Sequence, residues 1–166
     1  KSGEKIVLFT NNDTAYETAL SLNDKGIKVE AIIDIRNEND SELIKSVKNL
    51  NIQIFNNHTI VDTEGYKRIN KVSIMELSKD GTSVVGKKIN INCDCLGMSG
   101  GWTPAVHLFT QSGGKLKFRN SDNVFIPNVY SSDQLCIGAC NGDFELSDII
   151  KNIPDQINKF LNVSDE

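Results

Sequence analysis

The residues of this sequence that are most suggestive of chemistry lie in a turn of the kind that holds a dinucleotide pyrophosphate. The G-x-G-x-x-G/A pattern places small residues where the chain turns, where backbone approaches phosphate and where helix packs on strand. The three positions here are Thr10, Asn12 and Ala15, of which only Ala15 fits. Asp34 lies 19 residues beyond Ala15, where an acid would accept a ribose hydroxyl. The sequence therefore predicts a dinucleotide scaffold with an altered phosphate seat.

Two further features of this turn oppose phosphate binding. Asp13 places a negative charge beside the helix N-terminus, where the helix dipole would otherwise favour an anion. Thr14 and Glu17 match the S/T-x-x-E capping box, which would satisfy the free N–H groups internally. We therefore predict a structural turn, with Asp34 a surface acid partnered by Arg36. The competing hypothesis is that Asn side chains in the turn replace the contacts of glycine.

The four cysteines form two close pairs, Cys93 with Cys95 and Cys136 with Cys140. Together the two spacings match no common zinc site, in which two to four residues separate the ligands in both pairs, because only one residue lies between Cys93 and Cys95. Residues two apart on a strand share a face, so Cys93 and Cys95 are expected side by side in a core. The sequence thus predicts neither a metal nor redox chemistry at these thiols.

Four other features carry weaker signals. His58 is expected in a polar turn and His107 in a short apolar helix, and neither has an activating nucleophile nearby. Trp102 is expected to be a packed aromatic residue, with a groove-lining position as the alternative. Residues 113–115 (GGK) lack the G-x-x-x-x-G-K-[ST] frame of a phosphate loop. We predict no catalytic residue and no metal ligand.

The elements that position the first turn follow from apolar spacing. Strands are predicted at residues 5–9, 29–34 and 52–55, and helices at 14–22 and 41–50, with Gly26 ending the first helix. Short parallel strands joined by helices make βαβ units, so these residues predict half of a doubly wound nucleotide-binding fold.

The pattern then changes to alternation. Antiparallel strands are predicted at residues 60–64, 69–77 and 83–89, with a hairpin turn over residues 79–82 and a final strand over 93–98. The chain is expected to be irregular as far as Pro127, with a short strand over residues 135–138. A helix should begin near Phe144, and Pro154 should kink or split it. The predicted fold class is α/β: a three-layer, Rossmann-like, doubly wound domain whose parallel sheet carries an inserted antiparallel β-meander.

Composition restricts the function further. With 166 residues, 39% apolar residues and a net charge of −4, the chain suits one globular domain, or one domain with part of another. The acidic balance argues against nucleic-acid binding, and no apolar run approaches the ~20 residues that span a bilayer. No signal segment is recognised, and four cysteines favour a reducing cytoplasm.

Three segments resemble known proteins. The order of elements is similar to pyridine-nucleotide-disulfide oxidoreductases, in which a second nucleotide-binding domain is inserted into the first. Residues 98–116 (MSGGWTPAVHLFTQSGGKL) closely resemble the family of heterotetrameric sarcosine oxidase alpha subunits. Residues 9–16 (FTNNDTAY) and 138–144 (GACNGDF) match the same family, and the resemblance extends over essentially the whole chain.

The resemblance implies a reaction and a set of cofactors. Sarcosine would be oxidatively demethylated to glycine while O₂ is reduced to hydrogen peroxide. With tetrahydrofolate present, the one-carbon unit would leave as 5,10-methylenetetrahydrofolate. FAD would belong to the beta subunit, FMN to the alpha/beta boundary, folate to a C-terminal alpha domain and NAD to the alpha subunit. The implied partners are the remainder of the alpha subunit and the beta, gamma and delta subunits, with no nucleic acid and no membrane. The chain itself is expected to be an internal piece without a catalytic centre.

The resemblance also implies two domains and two nucleotide sites. Residues 1–101 would be the inserted domain, and residues 102–166 would return to the outer dinucleotide-binding domain. The residues implied near NAD in the outer, here incomplete, site are Gly138, Ala139, Gly142, Phe144 and Leu146. Ala139 stands where disulfide reductases place an acid, which is compatible with a ligand other than FAD. Thr10, Asn12, Ala15 and Asp34 would form a vestigial inner site.

Two competing hypotheses remain. The chain would be a stand-alone NAD(H)-binding or reductase-type module if the first turn binds NAD, and an interaction domain if it is unrelated to oxidases. If the family hypothesis holds, the apolar side chains of Phe144, Ile149 and Phe160 should be exposed and should drive dimerisation of the isolated chain.

Overall fold

The computed structural model describes residues 3–37, 41–122, 124–131 and 133–161. The chain divides into two compact units, Lys1–Gly101 and Trp102–Glu166. The division falls at the predicted domain boundary, while the assignment of the units to an inserted and an outer domain stays a prediction.

The first unit is built on a four-stranded parallel sheet. Its strands are β1 (Lys5–Thr10), β2 (Lys28–Asp34), β3 (Gln53–Asn56) and β7 (Cys95–Ser99), in the order β3-β2-β1-β7. The crossover helices are α1 (Thr14–Asp24) and α2 (Glu42–Asn49). These strands and helices confirm the βαβ units predicted from apolar spacing. Gly26 follows the C-cap of α1 with φ +69°, a left-handed conformation that suits glycine.

The helices cover one face of this sheet. The side chains of Ile6 and Leu8 alternate along β1 and pack in one buried cluster with Ala19, Ile44 and Val47 of the two helices. The alternation of a strand with period two sends the intervening residues to the opposite face. The helix face of the core thus follows directly from the sequence pattern.

An antiparallel meander packs against the opposite face of the sheet. It comprises β4 (His58–Gly65), β5 (Ile69–Leu77) and β6 (Val84–Asn92), in the order β4-β5-β6. Val7 and Ile33 of the parallel sheet are buried with Val72 and Ile74 of the meander. Helices, parallel sheet and meander form three layers, which confirms the predicted fold class.

The predicted placement of two cysteines on one strand face is wrong. Cys93 is buried with the meander cluster, whereas Cys95, the first residue of β7, packs against the helix cluster. The chain leaves the strand pattern at Asp94, whose carboxylate accepts the Lys5 N–H at 2.8 Å and the Glu4 N–H at 2.9 Å. These backbone hydrogen bonds, Lys5 first, lower the pKa of Asp94.

The second unit contains a hairpin that the sequence analysis missed. Its elements are α3 (His107–Gln111), β8 (Lys115–Arg119), β9 (Val124–Val129), a 3-10 helix (Gly138–Asn141) and α4 (Leu146–Leu161). The expectation of irregular chain as far as Pro127 is therefore wrong, because β8 and β9 pair antiparallel. The strand predicted at residues 135–138 is also wrong, since irregular chain leads there into the 3-10 helix. Helix α4 continues through Pro154 and is not split.

Helix α4 has no buried residue within its unit. Phe144, before the helix, and Phe160, within it, are exposed as predicted, but Ile149 is half-buried against Gly138. No helix in the described part of the chain has the length and apolar character needed to cross a membrane.

Candidate functional site

The turn between β1 and α1 lies at the carboxyl ends of the parallel strands, the edge where open α/β sheets bind ligands. Thr10 is buried at the end of β1. Its Oγ1 accepts the Asn12 N–H at 3.0 Å and donates to the Asn12 carbonyl oxygen at 2.8 Å. The side chain of Thr10 thus binds the backbone of the residue that would have to face the pyrophosphate.

The side chain of Asn12 occupies the N-terminus of α1. Its Oδ1 accepts the Thr14 N–H at 3.0 Å and also the Thr14 hydroxyl. Its Nδ2 donates to the Ser99 carbonyl oxygen at 3.0 Å, so the amide bridges the first turn and the end of β7. An oxygen acceptor within the protein therefore satisfies an N–H group that a phosphate would otherwise use.

The predicted capping box is wrong in detail. Thr14 is the first residue of the helix and not its cap, and the N-cap residue Asp13 makes no side-chain capping bond. The acceptor role passes to Asn12, two residues before the helix. An N–H group at the start of α1 is therefore bound within the protein, as inferred, but its acceptor is Asn12 and not the predicted capping box.

Asp34 is buried, not on the surface as predicted, with 2% of its area exposed. Its carboxylate accepts from the Tyr16 hydroxyl at 2.9 Å, from the Arg36 N–H at 2.9 Å and from Arg36 Nη2 at 2.8 Å. The predicted partnership with Arg36 is thus present. Because both carboxylate oxygens have partners within the protein, Asp34 is not free to accept ribose hydroxyls.

One guanidinium group joins two acids in this region. Arg36 Nη2 lies 2.7 Å from Asp13 Oδ1 and 2.8 Å from Asp34 Oδ2. Its hydrogen bond to Asp34 is the main cause of a pKa above the usual arginine value. Burial, and then the charge of Asp34, raise the pKa of the Tyr16 hydroxyl. The negative charge of Asp13 that the sequence indicated is therefore paired, while the acids still outnumber the cation.

The space at this edge is small. The cavity beside the turn has a volume of about 100 Å³ and is lined by Phe9, Thr10, Asn11, Ile35, Met98, Ser99 and Gly100. Small-molecule and cofactor sites usually enclose about 300–1,000 Å³. Ala15, the third small position, is buried at the base of α1, as close helix–strand packing requires. The structure thus keeps the strand–turn–helix arrangement of a dinucleotide site, but protein side chains occupy the place where the pyrophosphate would bind.

The predicted outer-site residues lie in the second unit. Gly138 and Gly142 begin and follow the 3-10 helix, with φ +70° and +81°. Together with Phe144 they line a cavity of about 450 Å³. Ala139 and Leu146 are exposed and do not line it. The structure therefore brings three of the five predicted residues to one cavity.

This second cavity is acidic. Asp143, Glu145 and Asp148 contribute three carboxylates to its lining, beside the amides of Asn152 and Gln156. Carboxylates accept hydrogen bonds from ribose or polyol hydroxyls, whereas they repel phosphate. The chemistry of this half-site suits the sugar portion of a nucleotide. Sequence reasoning missed these acids, although three acids within six residues of a glycine turn are a visible signal.

Arg119 fixes the glycine turn from the neighbouring hairpin. Its Nη2 donates to the Gly142 carbonyl oxygen at 2.7 Å and pairs with Asp122 at 2.6 Å. A Cβ atom at Gly142 would lie 2.7 Å from that guanidinium nitrogen and 2.9 Å from the Ile126 Cγ2 atom. Glycine is required at this position by both its φ angle and the lack of space.

The weaker candidates lie in structural positions. His58 is the first residue of β4, not part of a turn, and its ring is 5.5 Å from that of Phe55. The expectation that Trp102 is a packed aromatic residue is wrong, since the residue is 63% exposed, with its ring 6.4 Å from that of Phe144. Lys115 begins strand β8, so no helix follows the two glycines as a phosphate loop requires. Among the residues with described positions, no three His, Cys, Asp or Glu side chains are grouped to hold a metal.

Comparison with solved structures places the fold in a class. The chain superposes on a flavoprotein disulfide reductase, RclA from Escherichia coli, with a TM-score of 0.66 and 13% identity, covering 97% of this chain and 36% of that one. It superposes on thioredoxin reductase from T. acidophilum with a TM-score of 0.61 and 18% identity, covering 98% of this chain and 52% of that one. The fold is that of the pyridine-nucleotide disulfide oxidoreductases, with a Rossmann-like sheet and a meander.

Sequence comparison is more specific. The chain is 31% identical over 147 residues to a protein of Corynebacterium sp. (strain P-1) named sarcosine oxidase subunit alpha. The match covers 87% of this chain and 15% of that protein's length. No protein-family model matches. The chain is a relative of the sarcosine oxidase alpha subunit and corresponds to one segment of it, which confirms the predicted resemblance.

Proposed function

We propose that this chain works within a sarcosine-oxidase-type alpha subunit as a scaffold that also contributes one part of an NAD site. It contains no catalytic centre in this proposal. The oxidation of sarcosine, with FAD, FMN and folate, belongs to other parts of the enzyme. The support is the relationship to alpha subunits together with a dinucleotide fold whose own seat is occupied by side chains.

The observation that carries the scaffold role is the position of Asn12. Its side-chain oxygen caps α1 and its amide nitrogen binds the end of β7. A diphosphate at this turn would have to displace both hydrogen bonds. It would also approach Asp13, whose carboxylate already shares Arg36 with a second acid. The Thr14 N–H and the Asp34 carboxylate, which a working site would offer to NAD, thus both have partners within the protein.

The contribution to an NAD site rests on the second unit. Its acid-lined cavity is formed by Gly138, Gly142 and Phe144, with carboxylates that suit ribose hydroxyls. It offers no cationic side chain in its lining for a diphosphate. The remaining contacts, including the phosphate seat, would have to come from the parent subunit. We propose that the nucleotide bound there in the cytoplasmic enzyme is NAD and not FAD, because Ala139 stands where disulfide reductases place an acid.

Calorimetric titration of the 166-residue chain with NAD tests the scaffold role. We expect no saturable heat at millimolar NAD for the wild type. The variant Asn12→Gly should gain weak binding because it vacates the N-terminus of α1. The variant Asn51→Gly is the control for the same substitution outside the site, since Asn51 follows the C-cap of α2 and its φ of +56° suits glycine.

Two results would contradict the proposal. Micromolar binding by the wild type, lost in Asp34→Ala, would show a working inner site and a stand-alone NAD module. No gain in Asn12→Gly over the Asn51→Gly control would show that the amide is not what closes the seat.

A further inference from the structure

The last strand of the meander borders a cleft of the first unit. Strand β6 ends the order β4-β5-β6, so one of its two edges has no neighbouring strand among the described residues. Four consecutive residues of β6, 89–92, line a cavity of about 490 Å³. Because successive side chains of a strand point to opposite faces, a cavity that touches four in a row runs along an edge of the strand. That edge is the free one, since β5 pairs with the other.

The register of the meander shows which backbone groups face this cleft. Cys93 donates its N–H to the carbonyl oxygen of Asn70 in β5 at 3.1 Å, and the register between the two strands is continuous over the four residues before it. In an antiparallel pair, the N–H and C=O groups of every second residue point toward the partner strand. Ile91 therefore also bonds toward β5. The N–H and C=O groups of Asn90 and Asn92 point to the free edge.

The features that block pairing at an open strand edge are confined to the earlier part of β6. Its register with β5 shifts over residues 86–88, where Gly86 has φ +77°. The same stretch contains both lysines of the strand, Lys87 and Lys88. Bulges and lysines are the devices by which natural sheets prevent edge-to-edge pairing. Residues 89–92 contain neither, so the unprotected part of the edge is the part that borders the cleft.

The lining of the cleft combines charge with apolar surface. Lys5, Lys28 and Glu30, from the parallel strands β1 and β2, all line it. Lys28 pairs with Glu30 at 2.9 Å, whereas Lys5 has no ion pair within the described part of the chain. Ile89, which is 38% exposed, and Phe55 contribute apolar surface. The cleft thus offers one unpaired ammonium group beside an apolar strip and a free row of backbone groups.

We infer that the free edge of β6 is a docking site for an extended, acidic segment of polypeptide from outside these 166 residues. The segment adds a strand to the meander and exchanges hydrogen bonds with the backbone of Asn90 and Asn92. Its carboxylates face Lys5, and its apolar side chains cover Ile89 and Phe55. The Corynebacterium relative is long enough to contain such a segment, since the match spans 15% of its length.

A second copy of this chain fits the same edge poorly. Strand β6 contains two lysines and no acid, so a second β6 strand would bring cations and no carboxylate to a cleft that already holds an unpaired ammonium group. Like charges on adjacent strands are destabilising. The inference goes beyond the proposed function and involves no nucleotide. Its experiments and the NAD titration can therefore fail independently.

Amide hydrogen exchange, followed by NMR on the isotope-labelled 166-residue chain, tests the free edge without any variant. In the chain alone, Asn90 and Asn92 should exchange at least about tenfold faster than Ile89 and Ile91, whose N–H groups bond to β5. The probe is the capped peptide acetyl-Thr-Val-Glu-Val-Glu-Val-Thr-amide. When it is added, exchange at both asparagines should slow.

Matched peptides separate strand addition from other modes of binding. Fluorescence anisotropy of the labelled probe should saturate with the wild-type chain. Two further peptides are N-methylated at alternate residues, one at the valines and one at the glutamates. Only one edge of the peptide pairs with β6, so one of the two should bind at least about tenfold more weakly while the other keeps its affinity. A peptide with lysine in place of both glutamates should also bind about tenfold more weakly.

A charge reversal in the cleft tests the role of Lys5. In Lys5→Glu the affinity for the acidic peptide should fall about fivefold to tenfold. The control Lys79→Glu makes the same change at an exposed residue that does not line the cleft, and it should leave the affinity unchanged. Circular dichroism verifies that both variants are folded. The peptide series on the wild type decides the matter even if Lys5→Glu is not.

Several results would overturn the inference. Absence of saturable binding of the acidic peptide, or equal binding of the lysine peptide, would remove the acidic occupant. Equal binding of both N-methylated peptides would show that no strand is added. Slow exchange of Asn90 and Asn92 in the dilute chain would show that the edge is already paired. Protection of the two amides that rises with protein concentration, without peptide, would assign the edge to a second copy.

Discussion

Removing the Arg36 side chain should expose the energetic cost of burying Asp34. In the variant Arg36→Met the carboxylate keeps the Tyr16 hydroxyl and one backbone N–H but loses its cation. Removing one partner of a fully buried ion pair costs about 3–5 kcal/mol. The Arg36 side chain is 33% exposed, so water screens part of the interaction. We therefore expect a loss of about 2–3 kcal/mol in the free energy of unfolding.

A double-mutant cycle isolates the pair from the second contact of Arg36, with Asp13. The four proteins are the wild type, Arg36→Met, Asp34→Asn and the double variant, followed by circular dichroism during urea and thermal unfolding. For a chain of this length the single variant should melt about 4–12 °C lower. The matched control is the cycle of Lys88→Met with Asp62→Asn, an ion pair of 2.9 Å whose side chains are nearly half exposed.

The coupling energy of the two cycles decides the question. The Asp34–Arg36 coupling should be clearly larger than that of the control, because exposed pairs contribute little. Equal coupling in the two cycles would refute the reasoning that the pairing of buried Asp34 with Arg36 contributes more stability than an exposed ion pair.

Three further outcomes are expected. Gly142→Ala should lower the free energy of unfolding by about 2–5 kcal/mol in urea melts, because the ~1–2 kcal/mol of its positive φ adds to about 1–3 kcal/mol for the clash of its Cβ with Arg119. Gly81→Ala also has a positive φ but meets nothing within 4 Å, so it should cost only the ~1–2 kcal/mol of the φ angle. Equal losses would contradict the clash. Hydrogen bonds from Ser78 and Thr82 lower the pKa of Asp80 to about 2. The resulting contribution to the free energy of unfolding is present above the unfolded pKa of 3.8 and is lost as the pH falls toward 2. A carboxyl NMR titration of Asp80 with a midpoint near 3.8 would contradict this prediction. The exposed apolar face of α4 should make the isolated chain self-associate in sedimentation experiments. Ile150→Glu should weaken this association, whereas the control Lys151→Glu should not. A wild-type chain that stays monomeric at high concentration would refute the prediction.

The layers of the first unit were predictable because each strand and helix carries its own signal. Short apolar runs bounded by turn residues locate β1 and β2, and Gly26 marks the end of α1. The hairpin turn at Asp80 and Gly81 likewise follows from two adjacent residues. Such local signals specify elements and their order, from which the topology of βαβ units follows.

The details of the site depended on contacts that no local pattern contains. Asp34 is buried because Tyr16 and Arg36 supply its partners, and Tyr16 lies 18 residues away in the sequence. Thr14 and Glu17 matched a capping box, but the side chain of Asn12 accepts the N–H of Thr14 at the start of α1 instead. The Ser99 carbonyl oxygen of β7 holds the Asn12 amide in the orientation that allows this hydrogen bond. A distant strand thus decided which of two plausible caps forms.

The second unit was predicted less well. The alternation in residues 115–119 (KLKFR) is a strand signal, but Pro127 in the facing strand argues against a strand by its lack of an N–H. A two-stranded hairpin has only edge strands, which tolerate such a proline.

The pairing of β1 with β7 has a consequence for the kinetics of folding. The hydrogen bond from Asn12 to Ser99 joins residues 87 positions apart, and closing a loop of that length costs about 4 kcal/mol of chain entropy. One edge of β1 must therefore wait, unpaired, until the meander and β7 have been synthesised and have docked. During that interval the nascent chain presents an open strand edge to its neighbours, so we expect slow refolding whose yield falls as protein concentration rises.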